Sequence, residues 1–593
     1  MILANYQQNY SPVGHSLGLS SIVAILPLLV LFVLLGVVRM KAWLASLISL
    51  AVAVVLAVTV YSMPLGDALD SGLLGAAFGF FPIMWIVINA IWIYNLTVET
   101  GHFDVLRRSF ASISDDQRVQ AIIIAFSFGA LLEALAGFGT PVAISAVMLI
   151  ALGFKPLKAA TVALVANTAP VAFGAIAVPI TTLAGVTGLP VEDLGAMVGR
   201  QTPILALFVP LALVFIVDGR RGLRQTWPPA VVCGVSFAVF QFLSANFWSV
   251  PLADIVAALA SALAVLVFTR VWHAEETYQE SDEDGGAEGA GGSRRPPASG
   301  GEAVVGGEEF VDSRVLTRAR ADAGRDTHDS PREVFKAYAP YLAIIVVFVL
   351  ATRVPAITGK APTKVGETGT GLDSVTRIVN WPGLHILKAN GDPVATTFKL
   401  NYLSAAGTLL LIAGLLSMAL LQVGPRRALR AYGRTLDQLK FAVLTVMLVI
   451  GLGYIMNESG ETTTLGLWVA GAGGAFAFLS PILGWLGVAV TGSDTSSNSL
   501  FGALQITAAH QAGLSPTLMA AANSSGGVLG KMISPQNLAI AAAAVGFEGR
   551  EGILFRRVIV WSVVFMLFMC VLVYLQSTPA LDWMVVDTPP ATP

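Results

Sequence analysis

Apolar windows of about 15 to 25 residues recur along the chain from Ser21 to Tyr574, each long enough to cross a hydrocarbon layer of roughly 30 Å as a helix. A membrane-spanning strand would need about ten residues of alternating polarity, and that pattern is missing. An ordinary soluble domain, in which roughly a quarter of residues are charged, is excluded: 12% are charged here and 55% are hydrophobic. The fold class expected is an all-α polytopic membrane protein. The opening MILANYQQNYSPVGHSLGLSS has no basic n-region and no small-residue cleavage site, so no cleaved signal peptide is expected. Cys233 and Cys570 lie far apart in apolar helices and suggest packed thiols, with neither a disulfide framework nor a metal motif. No cofactor is implied. A net charge of -2, with basic residues gathered at helix ends, implies no nucleic-acid partner.

The windows fall into two groups. The first covers roughly 21–38, 42–62, 72–96, 119–152, 157–186, 203–217, 228–245 and 252–269. The second covers roughly 338–352, 402–421, 440–456, 464–511, 516–545 and 554–575, for about 12 to 14 transmembrane helices in all. Between them, 271–335 is rich in Gly, Glu and Asp without apolar periodicity and reads as a disordered cytoplasmic linker. The division expected is 1–270, 271–335 and 336–593, two membrane halves joined by that linker.

Basic clusters set the orientation: Arg39 and Lys41, Arg107, Arg108 and Arg118, Lys155 and Lys158, Arg220 to Arg224, Arg426 to Arg434, and Arg556 and Arg557 belong in the cytoplasm. With an external N-terminus, this works only if 119–152 enters and leaves on the cytoplasmic side, as a re-entrant hairpin with GFGTP at its tip. Residues 464–479 are read as part of the arm of a second hairpin. Trp227, Trp248 and Trp561 are expected as interface anchors.

Four polar interruptions break the apolar helices: LLEALAGFGTPVAI around 132–144, VANTAPVAFGAIAVPI at 165–180, TGSDTSSNS at 491–499 and NSSGGVLGKMISPQNLAI at 523–540. They come as two pairs, each a hairpin-like break followed about 30 residues later by a helix broken at an Asn followed by Ser or Thr. Irregular backbone at membrane depth is tolerated only where it is buried in protein or lines a wet cavity. Thr140-Pro141 and Ser534-Pro535 each place an N-cap hydroxyl before a proline suited to the first helical turn, and such half-helix N-termini favour an anion. Interrupted helices at matching positions of two halves mark a transporter's midplane site.

The residues expected to bind the solute are Thr140 in the first break, Asn167 and Thr168 in the second, Ser493, Thr495, Ser496, Ser497 and Asn498 in the third, and Asn523, Ser524, Lys531 and Ser534 in the fourth. For each Asn, Ser and Thr the competing reading is interhelical hydrogen-bonding glue. Gly137, Gly139, Gly526, Gly527 and Gly530 are read as close-packing positions. An unpaired charge at membrane depth is costly and so functional by default. Lys531 either neutralises a carboxylate substrate or pairs with Asp494 as a structural bridge. Glu133, in a mostly apolar setting, is a candidate to load a proton, and Glu133 with Asp494 forms the expected proton-coupling set. His510 is expected to be solvated or interfacial.

These breaks, with QQNYSPVG near the start, SDDQRVQ at 114–120, LGFKPL at 152–157, VGRQTP at 198–203, RAYGRTLDQLK at 430–440 and SPILGWLGVAVTGSDTSSNSLFGALQ at 480–505, resemble the L-lactate permease family over nearly the whole chain. The resemblance implies an ion-transporter-superfamily-like fold with two inverted repeats. It also implies a secondary active transporter in the bacterial inner membrane, importing L-lactate by proton symport, with glycolate and D-lactate as common additional substrates. Its partners would then be a small 2-hydroxy monocarboxylate anion, a proton and the lipid bilayer; a homo-oligomer is compatible. The acidic linker departs from the family in being longer and more charged. Sodium-coupled carboxylate transport is the alternative. An intramembrane hydrolase is disfavoured, since no nucleophile with paired base and orienter is found, and a passive anion channel would fail to accumulate solute.

Overall fold

Ten helices are long and apolar enough to cross a membrane, or twelve if two bent pairs each count as one span. This holds among residues 6–137, 139–279, 329–362, 364–547 and 549–586, which the computed structural model describes. The first broken hairpin runs up α1 (Gln117–Leu135) and back down α2 (Thr140–Ala151). It is followed by a bent pair, α3 (Pro156–Ala166) and α4 (Gly174–Thr187), whose halves meet at 64°. α5 (Thr202–Leu243) turns at Asp218 and Gly219, so that Gly234 abuts the backbone of Ala206 and Leu207 and the helix makes two antiparallel arms. α6 (Ala253–Phe268) packs against α5 and against the upper end of α1.

After α7 (Pro425–Ser459) the pattern repeats. A second hairpin is built from α8 (Phe476–Thr491) and α9 (Asp494–Ala512), and a second bent pair, at 40°, from α10 (Pro516–Gly530) and α11 (Pro535–Val545). α12 (Glu551–Gln576) closes the bundle. The basic residues at helix ends put the base of the first hairpin on the cytoplasmic side, and counting spans puts the base of the second on the other. The two units interlock: α2 packs against α11 and α4 against α9. The second hairpin's arm begins only at Phe476, after the short helix Glu461–Val469 and a kink at Gly473, so 464–479 belongs to that arm only at its end.

Burial separates the inside of the bundle from its rim. The α1 window is 100% buried whereas that of Ala42–Thr59 is 28% buried, which places the hairpin in the middle and turns Ala42–Thr59 toward lipid. Trp227 and Trp248 are exposed, as anchors at an interface should be, and His510 is exposed as well. Cys233 and Cys570 are free and buried. On the outer side Arg377–Asn380 pairs antiparallel with Thr397–Leu400, and Tyr6–Gln7 runs parallel to Ile386–Leu387, tying the N-terminus to that loop.

Most of the acidic stretch between the halves, 280–328, lies outside the described residues. Its flanks are tethered. Arg118, fully buried, donates to both oxygens of Asp116, to Asp218, to Gln225 and, at 2.6 Å, to the Glu276 carbonyl. Asp329 makes a two-pronged bond to Arg108 at 2.7 and 2.8 Å.

Candidate functional site

The site follows from what each break does with its freed backbone groups. α10 tightens into the turn Lys531–Ile533 and stops at Ser534, whose extended backbone ends the helix. The Ser534 hydroxyl accepts from Asn537 N at 3.3 Å as the expected N-cap of α11, and donates to the Lys531 carbonyl at 2.9 Å. Asn537 Nδ2 donates to the same carbonyl at 2.9 Å, which also takes the Ser534 N–H at 3.2 Å, so the acceptor at the break is satisfied. At the other break the expectation needs correction. Gly139, with φ 83°, takes the cap position, and Thr140 is the first residue of α2. A left-handed residue there reverses the chain without a side-chain cap.

With its backbone fixed, Lys531 extends across the bundle to the first hairpin. Its Nζ lies 2.5 Å from Glu133 Oε1, with both side chains buried. Sequence reasoning offered a substrate or Asp494 as its counter-charge; the structure pairs it with Glu133. The other Glu133 oxygen accepts from Asn167 Nδ2 at 2.9 Å, so three of the four breaks meet on one carboxylate. The α3–α4 break is itself unusual: Ala175, Ile176 and Ala177 all have positive φ, from 45° to 59°. Left-handed backbone costs a non-glycine residue roughly 1 kcal/mol or more, and a β-branched one is a marked outlier. Gly174 beside it is required by contact, because a Cβ there would sit 2.9 Å from Glu133 Oε1.

The third break supplies Asp494, at the start of α9. Its Oδ2 accepts from Ser524 Oγ at 2.5 Å and weakly from Asn498 Nδ2 at 3.5 Å; its Oδ1 meets no hydrogen-bonding partner among the described residues. Behind it runs a relay of amides. Asn498 donates to the Pro179 carbonyl in α4 at 3.1 Å, Asn523 to Asn498 at 2.9 Å, Gln505 to Asn523 at 3.1 Å and Ser480 to Gln505 at 2.8 Å.

A cavity of about 50 Å³ opens among Glu133, Lys531, Asp494, Ser493, Thr495 and Gln536. That is room for a few waters. A larger vestibule of about 560 Å³ shares Ser493 and Gln536 with it and is lined further out by Ser496, Thr491, Arg39 and Glu551. Arg39 and Glu551 lie at helix ends that the basic residues assign to the cytoplasm, so the cavity is approached from that side.

Thus Glu133, Asp494, Lys531, Ser493 and Thr495 line the cavity, Ser496 lines the approach, and Asn167 and Ser524 hold the two acids. Asn498 and Asn523 lie one layer behind. Thr168 turns back to the Val165 carbonyl at 2.7 Å, and Ser497 ties α9 to the Gly484 carbonyl of α8 at 3.1 Å. Thr140 is buried at the tip of the first hairpin. Sequence reasoning missed Gln536, although its place one residue into a half-helix between Pro535 and Asn537 was a usable signal. It also missed Gln505 and Ser480, for which the helical spacing from Asn498 to Gln505 was the only one.

Two re-entrant hairpins and two fractured helices, closing on a buried ion pair beside a polar cavity, define a polytopic membrane transporter. The family model for L-lactate permease matches residues 20–578. The L-lactate permease of Bacillus subtilis is 43% identical over 98% of this chain and 100% of its own length. Glycolate permease GlcA of Escherichia coli is 41% identical over 97% and 98%. The chain therefore belongs to the L-lactate permease family. Among solved structures, MtrF of Neisseria gonorrhoeae, described with a class of antimetabolite efflux pumps, aligns over 88% of this chain and 85% of its own at 13% identity, with a TM-score of 0.45.

Proposed function

We propose that the protein carries L-lactate and glycolate across the membrane, each together with a proton. The substrate class is supported by relatives named for L-lactate and for glycolate, and the coupling by the Lys531 to Glu133 pair. With both groups charged, the pair is neutral. An incoming carboxylate can claim Lys531 only by releasing Glu133, and a buried charge stripped of its partner costs about 3–5 kcal/mol. A proton on Glu133 removes that cost. Anion and proton thus help each other bind by roughly a hundredfold or more, since each 1.4 kcal/mol is a factor of about ten. On this reading Ser493, Thr495 and Gln536, which line the cavity, take the 2-hydroxyl and the second carboxylate oxygen.

The test is labelled L-lactate uptake in proteoliposomes. An inside-alkaline pH gradient is expected to drive accumulation, and replacement of sodium by choline at fixed pH to leave it unchanged; loss in choline would favour sodium coupling. Glu133→Gln mimics the protonated acid and is expected to exchange lactate while losing accumulation against a gradient. Equal loss of both activities would reduce Glu133 to a structural residue.

A further inference from the structure

Of the buried acids outside the cavity, which include Glu458 and Glu461, Asp254 is the one on a helix packed against the segment that carries Glu133. Asp254, in the first turn of α6, is fully buried. Its Oδ1 accepts from Gln241 Nε2 at 2.9 Å, while its Oδ2 meets no hydrogen-bonding partner among the described residues. Gln241 in turn accepts from Thr202 Oγ1 at 3.3 Å. Thr202 belongs to the VGRQTP motif, which the substrate cavity does not use. Its neighbour Gln201 donates to Gln576 Oε1 at 2.9 Å, and Arg200, partly exposed, bonds Asn246 and the Met584 carbonyl, each at 2.9 Å. Gln201 Oε1 and Gln576 Nε2 are, like Asp254 Oδ2, buried without a partner. Orphaned polar atoms are rare in packed protein, and here three of them lie among the separate hydrogen-bonded sets that the consecutive residues Arg200, Gln201 and Thr202 make, together one polar network only by their adjacency in the chain.

This network sits at the extracytoplasmic ends of α5, α6 and α12, opposite the vestibule. Its inner end faces the site, because α6 packs against the Gly129–Leu135 turn that carries Glu133. Glu133 and Lys531 are the charged groups near enough to act on Asp254 electrostatically. Of the other groups around it, Gln241 and Thr202 are neutral, and Cys233 lies further along, bonded to Ser127. Gly174–Thr187, Ser244–Trp248 and Val250–Leu252 contain no ionisable residue. An asparagine would serve Gln241 equally well as an acceptor and would not leave a half-bonded carboxylate in apolar surroundings, so a purely packing role does not account for an acid here.

We propose that Asp254 is a proton-relay residue, taking the coupling proton from the extracytoplasmic side at Oδ2 and passing it on to Glu133. The inference rests on the proton-coupled reading above. The proton bound at Asp254 leaves its O–H bond and forms an O–H bond on Glu133 once the substrate carboxylate has taken Lys531. Asp254 returns to the carboxylate.

The full-length native protein, Asp254→Asn and Asp254→Glu are compared in proteoliposomes by two readouts, labelled L-lactate exchange at equal pH and accumulation driven by a pH gradient. Asp254→Asn is expected to keep exchange within about twofold and to lose accumulation by about tenfold or more, with Asp254→Glu restoring most of it. Undiminished accumulation in Asp254→Asn overturns the relay alone. Parallel loss of both readouts, unrescued by Asp254→Glu, likewise overturns it and assigns a structural role. If Asp254→Asn does not insert, Asp254→Glu decides: a shifted pH profile of accumulation supports the relay and an unchanged one overturns it. Native protein that ignores the pH gradient overturns the proton reading itself.

Discussion

At the scale of single residues, the site depends on what stands beside each acid. Gly527 on α10 is the clearest case, since a Cβ there would collide with Asp494 Oδ1 and sit 2.9 Å from Val488. Alanine suits a helix better than glycine by about 1 kcal/mol, so Gly527→Ala is expected to fold and insert while displacing Asp494 from the cavity. Labelled lactate exchange should fall by about tenfold or more, in line with the roughly 1–3 kcal/mol cost of disturbing a buried polar group. Gly471→Ala, where a Cβ meets nothing within 4 Å, should leave exchange unchanged. Gly526 and Gly530 do pack against Pro481 and Trp485 of α8 as the sequence suggested. That Gly527 faces an acid was not legible, because in GGVLGK the three glycines look alike and the residue facing each comes from another part of the chain. The same holds for Lys531: the sequence marks two acids at membrane depth, and only the fold chooses between them.

At the scale of elements, the four breaks were legible because polar runs inside apolar helices have no cheap explanation in a bilayer. Their geometry was only partly so. Ser534 caps α11 as its neighbouring proline suggested, whereas Gly139 displaced Thr140 from the corresponding place, since a left-handed turn needs no side-chain cap. Nothing in the run AIA announces three consecutive left-handed residues. Another element missed was the base of the first hairpin, where the irregular segment 276–278 of the linker docks. Tyr278 exchanges backbone hydrogen bonds with Gln117 and with the side chain of Asp116, at 3.1 and 3.2 Å. Glu276 bonds Arg221, and that bond, with help from Gln225, holds its carboxyl below the ordinary value. A depressed folded-state pKa stabilises docking above the ordinary carboxylate value and loses that contribution as pH falls through the depressed one. The protection factor of the Tyr278 amide, its exchange relative to the intrinsic rate at each pH, is therefore expected to be flat from pH 8 to 5 and to fall only below about pH 4.

At the scale of the whole molecule, the helical membrane class was readable from the apolar windows and the transport class from four polar breaks and their repeat, while the direction in which the site opens was not. Ala539, on the vestibule wall, reports it. Ala539→Cys in the empty carrier should react with a membrane-impermeant thiol reagent from the cytoplasmic face and not from the other, against a silent background from the buried Cys233 and Cys570. Labelling from outside alone would reverse the orientation. The interlocking of α2 with α11 and α4 with α9 makes each unit complete the other, and the buried ion pair carries this to its extreme, for its members are 398 positions apart. At about 5–20 residues per second of synthesis, Glu133 emerges from the ribosome roughly 20 to 80 seconds before Lys531 exists. For that interval the first half sits in lipid holding an acid with no counter-ion, so biogenesis of this carrier is a waiting problem before it is a folding problem.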